Sequence, residues 1–240
     1  PFDGNMVRRR SANAILLGAK QRRMTRIVTN QIYEREKSSK LMVSILSHIV
    51  EFRNGESGLH VLHIQVITDM LLRHLVQKEQ NPYAISKEQI GLISTASALH
   101  DIGKIGISEN ILKKTSKLSD EEYQIMQSHV EASVNIIRHL PSLDYVIPIV
   151  LTHHERYDGR GYPRRISGED IPAGGRIMAI ADSFDAMTSR RSYKEPYSLE
   201  YALNELKRNR GLQFDPDLVD KFIELINSGI IEVRGNQNNE

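Results

Sequence analysis

Apolar residues recur every three or four positions along most of the chain, the spacing that lines one face of an α-helix and leaves little room for sheet. Between residues 24 and 53 no Pro or Gly intervenes, and Met24, Ile27, Val28 and Ile32, then Leu41, Ile45, Leu46 and Ile49, keep that period. One long helix is predicted there, continuous or broken at "KSSK". The period returns over 59–76, 88–99, 119–140 and 143–151, and further helices are predicted at 176–188, 198–209 and 216–227. "LSDEEYQIM" starts its helix with Ser119 as N-cap and Glu122 three residues later, a capping box. Only "GIIEVR", from residue 229, has strand character. No repeat or change of composition divides 55–230, which is therefore expected to be one all-α domain.

Composition narrows the classes of function. No run approaches eighteen apolar residues, and "PFDGNMVRRR" lacks the apolar core of a secretory signal, so no membrane span or export signal is expected and the cytoplasm is the expected compartment. With no cysteine, disulfides and thiolate metal sites are excluded, leaving imidazole, carboxylate and water as metal ligands. Residues 1–40 carry ten Lys and Arg against three Asp and Glu, a local +7, while 41–240 carry 22 against 27 and come to −5. The basic stretch has almost no aromatic residue for base stacking, so it reads as a solvated helix face and not as a nucleic-acid surface.

Nine histidines are present, at 48, 60, 63, 74, 100, 129, 139, 153 and 154. Any one alone is ordinarily a satisfied core or surface residue, but their acidic neighbours point further. Glu56 and His60 are four apart, on one face of a helix or its first turn, and His100 and Asp101 adjoin at the end of "GLISTASALHD". His129 is expected mid-helix. Asp182 lies in the otherwise apolar "RIMAIADSFDAM", where a buried carboxylate calls for a cation, either an arginine or a metal.

The longer motifs are more specific. "LHDIGKIGI", "HHERYDGRGYP", "GEDIP", "RIMAIADSFDAMTS" and "FDP" together resemble the HD-GYP family of cyclic di-GMP phosphodiesterases, a branch of the HD metal-dependent phosphohydrolases, over about residues 55–225. The resemblance implies an HD-domain helical bundle with a long N-terminal linker helix. It also implies that Glu56, His60, His100, Asp101, His129, His153, His154 and Asp182 ligate two or three divalent ions, usually iron or manganese, with Asp101 bridging. Neighbouring residues on a helix diverge, so His153 and His154 are expected to approach different ions. Lys104, Tyr162 and Arg191 match positions expected to hold phosphates and guanines, and Lys194 stands where an arginine is common. Asp101 and Lys104 are the expected catalytic residues. Two departures stand out: His63 replaces a basic residue, usually arginine, and Ser192 replaces the proline of an "RPY" motif. His48, His74 and His139 match nothing in the family pattern.

The implied reaction opens cyclic di-GMP to linear pGpG, with either pGpG or GMP as the end product. A pair of metal ions meets the two obstacles of that reaction, the charge repulsion met by hydroxide and the poor alkoxide leaving group. Two alternatives stay open: hydrolysis of cyclic GMP-AMP, and a non-catalytic adaptor that binds the nucleotide or a diguanylate cyclase of the GGDEF class. "PFDGNMVRRRSANAILL" resembles the end of a response-regulator receiver domain. The expected organisation is thus a remnant of the last receiver helix at 1–22, a linker helix at 23–54 that pairs two copies in parallel, the catalytic domain at 55–230 and a tail at 231–240.

Overall fold

A computed structural model gives the three-dimensional structure. It describes residues 4–54, 59–77, 83, 85–140, 143–190 and 195–229, with side chains in the first helix from Leu16 onward, apart from residues 36, 39, 40 and 54. Glu56, Arg191, Ser192, Lys194 and nearly all of "GIIEVR" lie outside the described residues.

The described chain is helical, with no strand beyond an isolated bridge between Arg210 and Phe214. In order, α1 is Gly4–Asn54, α2 Leu59–Gln77, α3 Lys87–Leu99, α4 Glu109–Leu112, α5 Asp120–Gln127, α6 His129–Ile137, α7 Ile147–Thr152, α8 Ala173–Thr188, α9 Leu199–Arg208 and α10 Pro216–Asn227. Helix α1 is continuous through "KSSK". Residues 1–42 form one compact unit and 43–240 another. In the first unit, Leu16, Leu17, Met24, Ile27, Val28 and Ile32 are exposed on α1.

In the second unit the apolar faces of α2, α3, α7, α8 and α10 meet in one core. Ile64, Leu71 and Leu72 of α2, Leu99 of α3, Ile177 and Ile180 of α8 and Phe222 of α10 are wholly buried there. Phe184 meets Phe222 edge to face at 5.0 Å between ring centroids. The "FDP" segment is a fastening: Phe214 is core, Pro216 opens α10, and Asp215 caps that helix by accepting from the Asp217 and Leu218 amides at 2.9 and 3.2 Å. Asp215 also pairs with Arg176 near the start of α8, whose Nε donates to the Ile171 carbonyl at 2.9 Å.

Two expectations need correction. The helix predicted over 119–140 is two helices. The capping box of Ser119 and Glu122 starts α5, but at Ser128 the hydroxyl donates to the Ile125 carbonyl at 2.7 Å and the chain turns. His129 is therefore the first residue of α6 and not mid-helix, a change that the unbroken apolar period conceals.

The last turns of α1 hold the elements that carry the histidines. Ser47 donates to the Ala98 carbonyl at the end of α3, and Glu51 accepts from the Val61 amide at 2.7 Å at the start of α2. Arg53 donates to the Lys104, Ile105 and Ile107 carbonyls of the turn after α3. That turn, Ile102–Gly106, packs on α6 so closely that a Cβ on Gly103 would lie 2.1 Å from the His129 carbonyl oxygen and 2.4 Å from the Ser133 amide. Ser133 completes the joint, its hydroxyl donating to the His100 carbonyl at 2.9 Å and accepting from the Gly103 amide at 2.8 Å. Replacing Gly103 by Ala should therefore lower stability by about 1–3 kcal/mol, the usual cost of overpacking, measured as a lower urea midpoint. An unchanged midpoint would show that this joint gives way freely.

Candidate metal centre

The ends of α3, α7 and α2, the first turn of α6 and the middle of α8 converge on one cluster. Asp101, His129, His153 and His154 each offer a ligand atom within 4.8 Å of the others', and so do His60, His100 and Asp182. Asp101 joins the two groups, since its Oδ1 is 3.2 Å from His129 Nε2 and its Oδ2 is 3.3 Å from His100 Nε2.

The ring orientations follow from local helix geometry. Each of three buried histidines donates from Nδ1 to the carbonyl three residues earlier: His100 to Ser97 at 2.7 Å, His129 to Met126 at 2.6 Å and His153 to Val150 at 2.6 Å. A carbonyl can only accept, so it fixes the proton on Nδ1 and turns Nε2 inward. The Nε2 atoms of all three are buried and form no hydrogen bond, and neither does Asp101 Oδ1. Buried polar atoms left unsatisfied cost about 1–3 kcal/mol each, so four of them gathered at and around Asp101 call for a cation. Neutral imidazole and carboxylate form the donor set that divalent transition ions take.

The electrostatics agree. Burial opposes charge on His100, but the adjacent Asp101 carboxylate outweighs it and holds the pKa up at about 9. Asp101 is likewise held well below the ordinary carboxylate range, because His100 and Lys104 outweigh its burial. Burial, with neighbouring imidazoles, pushes His153 well below the usual histidine value and His154 down to about 3. The attraction that draws a proton onto His100 equally draws in a metal cation, and His153 and His154 stay neutral as ligands must.

The twin histidines do not diverge as expected. His153 ends α7 and the chain leaves the helix there, so both rings turn to one side, with centroids 4.1 Å apart, and both fall in the Asp101 group. The loop that follows is closely held. Buried Glu155 accepts from the Arg164 and Arg165 amides at 2.6 and 3.1 Å, and Arg156 grips Asp158 with two hydrogen bonds. A Cβ on Gly161 would sit 2.4 to 2.6 Å from backbone atoms of residues 154–156. That approach brings Tyr162 onto His154, stacked at 4.8 Å.

The structure thus assembles His60, His100, Asp101, His129, His153, His154 and Asp182, with Lys104 bonded to Asp101 and Tyr162 at the rim. Asp182 is only partly buried. The carboxylate enclosed in α8 is Asp185, which the sequence reading passed over, and it bonds His60, His63 and Ser189. Its position three residues after Asp182, on the same helix face, was the available signal.

A family model for the HD domain matches residues 44–218. The chain belongs to the HD domain family. The HD pair of this family is His100–Asp101, and the "GYP" segment of the HD-GYP branch closes over His154. The 3'3'-cGAMP-specific phosphodiesterase 2 of Vibrio cholerae is 40% identical over 197 residues, covering 81% of this chain and 36% of that protein. The cyclic di-GMP phosphodiesterase response regulator RpfG of Xanthomonas campestris is 34% identical over 196 residues, covering 81% of this chain and 49% of that protein. The chain therefore spans less than half the length of these relatives. The crystal structure of a cyclic GMP-AMP-specific phosphodiesterase of Vibrio cholerae, V-cGAP3, shares the HD fold with a TM-score of 0.61 at 20% identity, covering 82% of this chain and 51% of that one. Among the described residues no helix is long and apolar enough to cross a membrane.

Because Asp101 touches both donor groups of this HD domain, Asp101→Ala should weaken metal binding at both, whereas His129→Gln should weaken it at one. Metal analysis after dialysis against manganese would read the difference. Wild-type metal content in the Asp101 variant would contradict the shared role.

Proposed function

We propose that the chain is the catalytic part of a metal-dependent phosphodiesterase that opens cyclic di-GMP to linear pGpG and onward to GMP. The observation that carries this reading is the set of buried, inward-facing Nε2 atoms around Asp101. Seven described donors intact in one cluster favour an enzyme over a non-catalytic adaptor. Divalent ions, iron or manganese, supply the water activation and charge neutralisation that a phosphodiester requires. Asp101 orients the cluster from its centre. Lys104, bonded to Asp101 on the turn that Arg53 and Ser133 hold in place, offers an ammonium to the non-bridging phosphate oxygens. Tyr162, stacked on His154, borders the place where the dinucleotide sits. Arg191 and Lys194 are proposed as further contacts to phosphate and guanine, and Glu56 as a ligand of a third ion, from their positions in the sequence.

A second substrate has a specific observation behind it: the relative at 40% identity is a 3'3'-cGAMP-specific enzyme. Cyclic GMP-AMP presents the same phosphodiester ring, so both nucleotides belong in the assay. The regulatory reading is a cytoplasmic response-regulator output. In it residues 1–22 end a receiver domain, 23–54 link it to the catalytic domain at 55–230, and diguanylate cyclases of the GGDEF class are partners. The apolar side chains exposed on α1 suit pairing with a second copy.

The manganese- or iron-loaded chain should convert cyclic di-GMP to pGpG, followed by chromatography, and Asp101→Ala should abolish the conversion. Lys104→Ala should keep its metal and lose about 10²–10³-fold in turnover, the usual effect of removing one charge-stabilising group. Undiminished turnover in the Lys104 variant would remove that residue from the mechanism, and no turnover of either nucleotide by the loaded wild type would remove the proposal. The α1 pairing predicts the mass of a dimer in light scattering, and a monomer at high concentration would contradict it.

A further inference from the structure

Three of the cluster's histidines use a backbone carbonyl to set the ring, and His60 uses a carboxylate. It is the second residue of α2, and its partner comes from α8. A carboxylate from another helix takes the carbonyl's place. His60 Nδ1 bonds Asp185 Oδ2, and His60 Nε2 stands 3.5 Å from Asp182 Oδ1. Asp185 is itself held from the other side: its Oδ1 accepts from His63 Nδ1 at 3.0 Å and from the Ser189 hydroxyl at 2.6 Å. Both oxygens are used, and the residue is buried in α8. Asp182 and Asp185, one turn apart, thus address opposite nitrogens of the same ring.

We propose that Asp185 is a positioning residue for the His60–His100–Asp182 group, fixing the Nε2 of His60 toward that group as a donor, with His63 and Ser189 holding its carboxylate in register. This rests on reading that group as a metal site. A carboxylate bonded to the far nitrogen of a ligating imidazole fixes its tautomer and raises its basicity, and loss of such a partner typically weakens metal affinity by about 10–100-fold. The two donor groups therefore differ in how they are supported. In the Asp101 group, His129 and His153 lean on carbonyls of their own chain segment. In the other, one ring depends on a side chain from a separate helix. The arrangement also gives His63 a place. Where arginine is expected, this chain has an imidazole that the Asp185 carboxylate engages, so His63 serves the metal ligand through that carboxylate.

The test is manganese titration of the full chain by calorimetry, with Asp185→Asn beside wild type. Wild type should bind at both groups. Asp185→Asn should keep its circular dichroism and the affinity of the Asp101 group, and lose about 10–100-fold at the other. The metal-free proteins give a second readout by proton NMR: the downfield His60 Nδ1 proton expected of a bond to carboxylate should be present in wild type and absent in Asp185→Asn. If Asp185→Asn does not fold, the double variant His63→Gln/Ser189→Ala, which leaves the carboxylate in place but unheld, should show a smaller loss at the same group. Unchanged manganese affinity in a folded Asp185→Asn, or in the double variant if that alone folds, would overturn the inference while leaving the proposed activity standing. A wild type that binds no manganese would overturn the reading of the site itself.

Discussion

The structure is organised around buried imidazole nitrogens that lack hydrogen-bond partners. Nδ1 of His100, His129 and His153 is tied to a carbonyl, so the Nε2 atoms face inward without a hydrogen bond, two of them against Asp101. Left alone, each costs about 1–3 kcal/mol, a sizeable fraction of the 5–15 kcal/mol by which a domain is stable. Such a cluster persists when the core around it is strong enough to hold it and a cation offsets the cost. The core of α2, α3, α7, α8 and α10 provides the first condition, and the acidic groups Asp101 and Asp182 among the donors attract the cation that meets the second.

The supports around that cluster are short-range and redundant. Gly103 permits the turn after α3 to touch α6, Ser133 ties the two together, and Arg53 holds the same turn from α1. Gly161 brings Tyr162 over His154, and Asp215 joins α10 to α8 through Arg176. Much of "HDIGK", "GYP" and "FDP" is therefore packing that positions donors. Of these motifs only His100, Asp101, Lys104 and Tyr162 reach the site.

Helix periodicity made the all-α fold legible because it is local, whereas the acidic and histidine pairs only suggested a site and the donor set came from the resemblance of the longer motifs. The break at Ser128 was hidden, since the apolar pattern runs on either side of it and the turn depends on one hydroxyl. The convergence of His153 and His154 was also hidden: adjacency on a helix predicts divergence, and the helix stops at the first of the pair. Asp185 was missed because its role lies in contacts with α2, more than a hundred residues away in sequence, although its spacing from Asp182 was visible. His63 stood only as a departure from the family pattern, and its contact with Asp185 lies across the helices.

The most direct test of the central claim is anomalous X-ray scattering from crystals of the chain soaked in manganese. Two peaks are predicted, on either side of Asp101, one bounded by the Nε2 atoms of His129 and His153 and the other by those of His60 and His100. Peaks on Nδ1 atoms, peaks away from Asp101, or no peak in this cluster would contradict the account.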